Sequence, residues 1–206
     1  MSPKLMLLIL VLCIAAGKGG ANEKKQETPQ TAEPFEITNH LDLWKHFLDF
    51  SDTFFLLRRS YSSPGSGCMY VRVLKTEKEN HTFSGLQGNF DTTTQKYTQN
   101  AVHGAIEEDE SKNRSILKLG SGSGTKNEYE YRAVYGDGEG CILLNLTAPP
   151  DERLKGKCEL WATKQRAPSV GSSTLCVQQY QKLCQHDVDE TPYTQECKDP
   201  PTELAA

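Results

Sequence analysis

The run Cys141-Ile142-Leu143-Leu144-Asn145-Leu146-Thr147, then Cys158-Glu159-Leu160-Trp161, then Cys176, sets the reading of the whole chain. Asn145-Leu146-Thr147 is an N-glycosylation acceptor pattern, and a glycan must point to solvent. The apolar run 141–146 reads as a strand, along which side chains alternate between two faces. With Asn145 outward, Cys141 and Leu143 also point out, while Ile142, Leu144 and Leu146 point in. The next run, 157–164, obeys the same logic. With Cys158 outward toward a disulfide partner, Glu159 and Trp161 face inward. A carboxylate and an indole then stand inside an apolar interior. The plainer alternative, Glu159 as a solvent-facing strand residue, stays open at this point.

The chain has 206 residues, enough for one domain. Residues 1–17 read as a signal peptide. Lys4 gives the positive start, Leu5 to Ala16 the apolar region and Ala15-Ala16-Gly17 the small-residue cleavage site. A cut after Ala21 is the alternative. The apolar region is too short to span a bilayer, which takes roughly 20 residues. The expected product is secreted and extracellular, with no membrane segment. Residues 18–37 form a polar lead with little to bury, expected to be disordered. Residues 38–200 hold the folded domain.

Cys13 leaves with the leader. Cys68, Cys141, Cys158, Cys176, Cys184 and Cys197 remain, and an even count in an exported chain implies three disulfides. Zinc is the competing reading, but there is no Cys-x-x-Cys and the histidines are scattered, so no metal is expected. Three sequons, at Asn80, Asn113 and Asn145, agree with export. The formal charge of −4 becomes −5 once Lys4 is removed. No basic stripe is present to meet phosphates, so nucleic acid is not an expected partner.

Along the chain, residues 40–50 show helical spacing of Leu43, Phe47 and Phe50, with Asn39 as a candidate cap and Trp44 as a plug for one end of the fold. Short strands follow at Thr53–Ser62, Cys68–Lys75, Thr82–Phe90, Gln95–Ile106, Asn113–Leu119, Glu128–Tyr135, Cys141–Leu146 and Lys157–Lys164. In the sixth, Tyr129, Tyr131 and Tyr135 are expected on one face. Eight successive strands point to a sandwich or an up-and-down barrel, an all-β fold. The glycine-rich runs 120–124 and 136–140 precede no helix and read as hairpin turns, not phosphate loops. No Gly-x-Ser-x-Gly elbow and no paired-carboxylate arrangement is present, so neither an enzyme nor a cofactor is expected. Residues 172–185 have helical spacing again, with Ser172 or Ser173 as cap. Cys176 and Cys184 lie two turns apart on similar faces of that helix.

A helix, eight strands and a closing helix resemble the plan of a lipocalin. Asp42-Leu43-Trp44-Lys45, Arg59-Ser60-Tyr61, Tyr135 ahead of Cys141, and Glu159-Leu160-Trp161 together resemble the tick salivary lipocalins, the histamine-binding protein family. The resemblance covers roughly residues 40–197. It implies an eight-stranded antiparallel barrel with a short N-terminal helix and a C-terminal helix tied to the barrel by disulfides. It implies the pairs Cys68–Cys197 and Cys141–Cys176, which leaves Cys158–Cys184. It also implies a ligand-binding role, in evasion of host inflammatory and haemostatic defence. The family's amine pattern has an aspartate after the first cysteine, where this chain has Ile142. Glu159, Trp161 and Tyr61 are the candidate ligand residues, with Ile142 making the pocket more apolar. The implied partner is a small host mediator, an amine such as histamine or serotonin. A lipid such as a leukotriene, held by apolar walls and Arg59 or Arg132, is the alternative. A third reading has the loops of a monomeric barrel block a host complement or clotting protein.

Overall fold

The computed structural model describes residues 42–45, 53–65, 67–91, 93–109, 114–121, 128–171, 174–184, 188–197 and 199–203. Strands β1 (Thr53–Arg59), β2 (Tyr70–Glu77), β3 (Thr82–Asp91), β4 (Lys96–Asp109), β5 (Arg114–Ser121), β6 (Glu128–Gly136), β7 (Cys141–Ala148) and β8 (Cys158–Thr163) form a closed barrel in sequence order. Every neighbouring pair, including the β8–β1 closure, is antiparallel. Helix α1 (Leu175–Leu183) follows. The expected all-β barrel with a C-terminal helix is the observed fold.

Alternation sorts the strand residues into two apolar clusters. Phe54, Leu56, Val71, Phe83, Leu117, Leu144 and Trp161 belong to the cluster inside the barrel. Phe55, Leu57, Cys141, Leu143, Cys158 and Leu160 belong to a second cluster outside it, with Cys176, Val177 and Tyr180 of α1. The faces of 141–146 and of 158–161 are therefore those deduced from the Asn145 sequon. All six residues of β8 are buried, because the barrel covers one face and α1 the other.

Disulfides fasten the outer layer. Cys141–Cys176 and Cys158–Cys184 pin both ends of α1 to β7 and β8, with Cα separations of 6.5 and 5.9 Å. Cys68–Cys197 ties the chain's last segment to the β1–β2 connection. That segment is also a strap on the end of β1. Arg59 and Glu190 exchange two backbone hydrogen bonds of 2.9 Å, and Cys68 N donates to Pro192 O at 2.8 Å. The rings of Tyr193 and Phe55 lie 5.4 Å apart.

Two details differ from the sequence expectations, the face of Tyr135 and the N-cap of α1. Of the two register shifts between β6 and β7, the one between Ala133 and Tyr135 sets an extra residue, Val134, into β6 and exchanges the faces of the residues beyond it. Tyr129 and Tyr131 stay with the interior, whereas Tyr135 packs against the outer cluster. Asp42 accepts from Lys45 N at 2.9 Å and so caps the described helical turn Leu43–Lys45. Asn39 and most of the expected helix 40–50 lie outside the described residues. The N-cap position of α1 is Thr174, and Ser172 and Ser173 likewise lie outside them. Trp44 does sit at one end of the interior, stacked on His81 at 5.1 Å.

Phe83 fills the middle of the barrel by lying on Gly104. A Cβ at Gly104 would come within 2.3 Å of the Phe83 ring. Gly104→Ala should therefore cost about 1–3 kcal/mol by overpacking, read as a lower urea midpoint, with Phe83→Leu in the same background restoring part of it. Replacing Cys158 and Cys184 together by alanine should cost about 3 kcal/mol. Hydrogen exchange should then show α1 opening before the barrel.

Candidate functional site

Closure of the barrel builds a polar layer within the apolar interior. The β1–β8 ladder pairs Leu56 with Trp161, Arg58 with Leu160 and Arg59 with Glu159, with a register shift between Leu56 and Arg58. The shift exchanges the faces of the two arginines. Arg58 turns out to an ion pair with Asp189 at 2.7 Å, and Arg59 takes the inner side beside Glu159. On the other flank, β7 pairs Leu144 with Glu159 and Ile142 with Trp161. Glu159 thus stands between Arg59 and Leu144, one layer from Ile142.

Glu159 is 3% exposed. The Tyr61 hydroxyl donates to its Oε1, and the Trp161 indole N–H donates to Oε2 at 2.8 Å. Trp161 reaches it because residues two apart on a strand share a face. Tyr131 interacts with the same carboxyl through its hydroxyl, and Tyr129 stacks near Tyr131 with ring centroids 6.2 Å apart. Burial raises the Glu159 pKa above the usual carboxylate value, opposed by the hydrogen bonds from Tyr61, Trp161 and Tyr131 and then by the charge of Arg59. Burial, reinforced by the Glu159 charge, pushes the Tyr61 and Tyr131 hydroxyls well up, so both stay protonated donors at neutral pH.

The structure brings Glu159, Trp161 and Tyr61 together, and Ile142 packs across the sheet from Trp161. It settles the face of Glu159 as inward. Arg132 is not available to this carboxyl: it pairs in register with Asn145, on the outward phase of β6. Tyr131 and Leu144 also belong to the site, beyond the ligand residues expected from sequence. The tyrosine alternation of β6 carried the signal for Tyr131. A void of about 10 Å³ is lined by Val71, Phe83, Leu117, Leu119, Leu144 and by Tyr131 and Trp161, two of the partners of the Glu159 carboxyl. That is about the room of one water. Tyr61, Met69, Tyr129 and Leu154 pack against the interior cluster at the same end of the barrel.

The remaining candidate sites lie outside the barrel. Asn145 faces outward, its side-chain amide donating to Gly156 O at 2.8 Å. Asn80 lies in the exposed β2–β3 turn, and Asn113 is outside the described residues. Asp137, Cys141 and Cys176 cluster closely enough to suggest a metal site. Both sulfurs are spent in a disulfide, and Asp137 accepts from the backbone N–H of Glu139 and Cys141. The cluster offers no thiolate. Among the described residues no helix is long and apolar enough to cross a membrane.

This barrel has counterparts among solved structures. One is the serotonin complex of AM182, with 15% identity, TM-score 0.54, and coverage of 73% of this chain and 88% of that one. Another is japanin from Rhipicephalus appendiculatus bound to cholesterol, with 16% identity, TM-score 0.52, and coverage of 71% and 95%. At such identities the likeness establishes the fold alone. No curated protein matches the chain. Residues 32–199 match the family described as tick histamine binding protein. The chain therefore belongs to the tick histamine-binding protein family, whose members are ligand-binding proteins of lipocalin type.

Proposed function

We propose that this protein is a secreted scavenger that sequesters a small host mediator, a biogenic amine such as histamine or serotonin, at Glu159 inside the barrel. One observation carries the reading. A fully enclosed carboxyl is held by phenol and indole donors, while the neighbouring arginine makes its ion pair with Glu190. A buried carboxylate without a cation is costly, and an ammonium ligand supplies that cation. An ionised carboxylate offers about four lone-pair sites. Tyr61 and Trp161 occupy one on each oxygen and Tyr131 takes a further one, so an ammonium finds about one left. The faces of Trp161, Tyr131 and Tyr61 add cation–π attraction.

The small void bears on which ligand fits. Pockets for drug-sized molecules are usually about 300–1,000 Å³, so a ligand here must displace side chains. Tyr61, Met69, Tyr129 and Leu154 at the mouth, and Phe83 deeper in, are the ones in its way. An amine of a few heavy atoms asks for less displacement than a long lipid. The apolar walls and Ile142 favour the second reading, a lipid mediator. A host plasma protein as partner is the reading that remains if neither small ligand binds. Scavenging needs no turnover, only tight and abundant binding.

Calorimetric titration with histamine, serotonin and a leukotriene tests the proposal, and amine binding with no response to the lipid is the expected result. Glu159→Gln should weaken amine binding by at least about 100-fold, since orphaning one member of a buried ion pair costs roughly 3–5 kcal/mol. Unchanged affinity in that variant would remove Glu159 from the site.

The pH dependence comes from the raised pKa of Glu159. An amine keeps its proton to roughly pH 10, as lysine does, and binds the carboxylate form. Affinity should fall as pH drops through the pKa of Glu159 in the free protein and be level above it. Titrations in buffers of different ionisation enthalpy should show a proton released on binding within that window. For folding the sign is opposite to that of an ordinary salt-bridged acid. A carboxyl with a raised native pKa contributes most below its unfolded value and loses that contribution as pH rises through the native one. Glu159→Gln should thus raise the melting temperature near neutral pH while it abolishes binding.

A further inference from the structure

Opposite charges placed directly across an antiparallel pair ordinarily bind each other, their Cβ atoms being about 5 Å apart. Arg59 and Glu159 are such a pair. Their hydrogen bonds nevertheless run in different directions. Arg59 donates to Glu190 Oε2 through Nε at 2.9 Å and through Nη2 at 2.5 Å. It also donates to Ser63 O at 2.7 Å and approaches Met69 Sδ at 3.3 Å. Glu190 is fixed for this task. It shares the reciprocal backbone bonds with Arg59 and accepts from Ser62 Oγ at 2.6 Å and Ser63 N at 3.3 Å.

Arg59 is only 3% exposed, whereas the Glu190 side chain is 31% exposed. A buried guanidinium needs a carboxylate, and among the described residues Glu159 by strand register and Glu190 by strap position are placed to serve it. Its plane also lies over the Tyr61 ring, 5.4 Å from the centroid. Tyr61 is the donor to Glu159, so the arginine's position is coupled to the site it borders.

We propose that Glu190 is a specificity-determining positioning residue: by holding Arg59 in the C-terminal strap, it keeps Glu159 available for a cationic ligand. Without the Glu190 charge, Arg59 turns to Glu159, neutralises it and closes the site to amines. The strap thereby selects the charge of the ligand without touching it. This inference rests on the amine reading for its effect on binding, but the competition between the two carboxylates can be measured without any ligand.

The variant is Glu190→Gln, which keeps the shape and the backbone bridge and removes the charge. The ligand-free readout is the titration of Glu159, followed by carbon-13 NMR of labelled glutamate and assigned with Glu159→Gln. Glu190→Gln should shift that titration to lower pH, because the guanidinium now faces the carboxylate. An unshifted titration overturns the proposal. With histamine, or whichever amine the wild type binds, Glu190→Gln should lose affinity by about tenfold or more. Arg59→Met added to Glu190→Gln should restore it to within a few-fold. That double variant removes the buried guanidinium and stays informative if Glu190→Gln alone does not fold. Weak amine binding in a folded double variant would mean that Glu190 serves the strap alone and would also overturn the proposal. A wild type that binds no amine, together with the shifted Glu159 titration, would sink the amine reading and leave the carboxylate competition standing.

Discussion

A carboxyl group enclosed in an apolar barrel must find donors or lose its charge, and the arrangement around Glu159 answers that constraint. Its donors come from separate pieces of chain. Trp161 is two residues on in β8, Tyr131 comes from β6, and Tyr61 follows the end of β1. They converge only because β8 closes on β1. The register shift between Leu56 and Arg58 is equally necessary, since it decides which arginine stands beside the carboxyl. Burial and hydrogen bonding act on Glu159 in opposite senses. Burial prevails, and the pKa of Glu159 stands above the usual carboxylate value.

The outer layer exists because β7 and β8 are apolar on both faces. Something must cover Leu143, Leu160 and Ala162, and α1 does so with Val177 and Tyr180. Nine residues are too few for a helix to persist alone, which takes about 12–15. A disulfide at each end supplies what propensity does not. The same economy holds for the strap, where one disulfide, one two-bond bridge and the Arg59–Glu190 pair fasten a segment with little secondary structure of its own.

Much of this was legible in the chain. A single sequon phases β7 and the cysteines then phase β8, which offers an inward Glu159 and Trp161 but leaves a solvent-facing Glu159 open until the barrel is seen to bury it. Alternation is a local rule, and it failed wherever a bulge interrupts it. Tyr135 was assigned the wrong face because nothing in 128–136 marks the shift after Ala133. Arg59 and Arg132 looked equivalent as counter-ions. Only the register separates one facing Glu159 from one facing Asn145. Nothing in the sequence marks Glu190, since a glutamate in a polar tail has no periodicity to interpret. Its contact with Arg59 spans 131 residues of sequence. The seat of Phe83 on Gly104 is equally hidden, because it is a cross-strand contact between β3 and β4.

The hydrogen bond from the Trp161 indole to Glu159 has an optical consequence. The chain has two tryptophans, Trp44 and Trp161. Trp161 donates directly to the carboxyl, whereas Trp44 stacks on His81 at the β2–β3 turn, the opposite end of the barrel from Tyr61. Indole emission is sensitive to the charge at its N–H, so the intrinsic fluorescence of the untagged protein carries a built-in reporter of Glu159 ionisation. Trp44, at the far end, supplies the reference within the same spectrum.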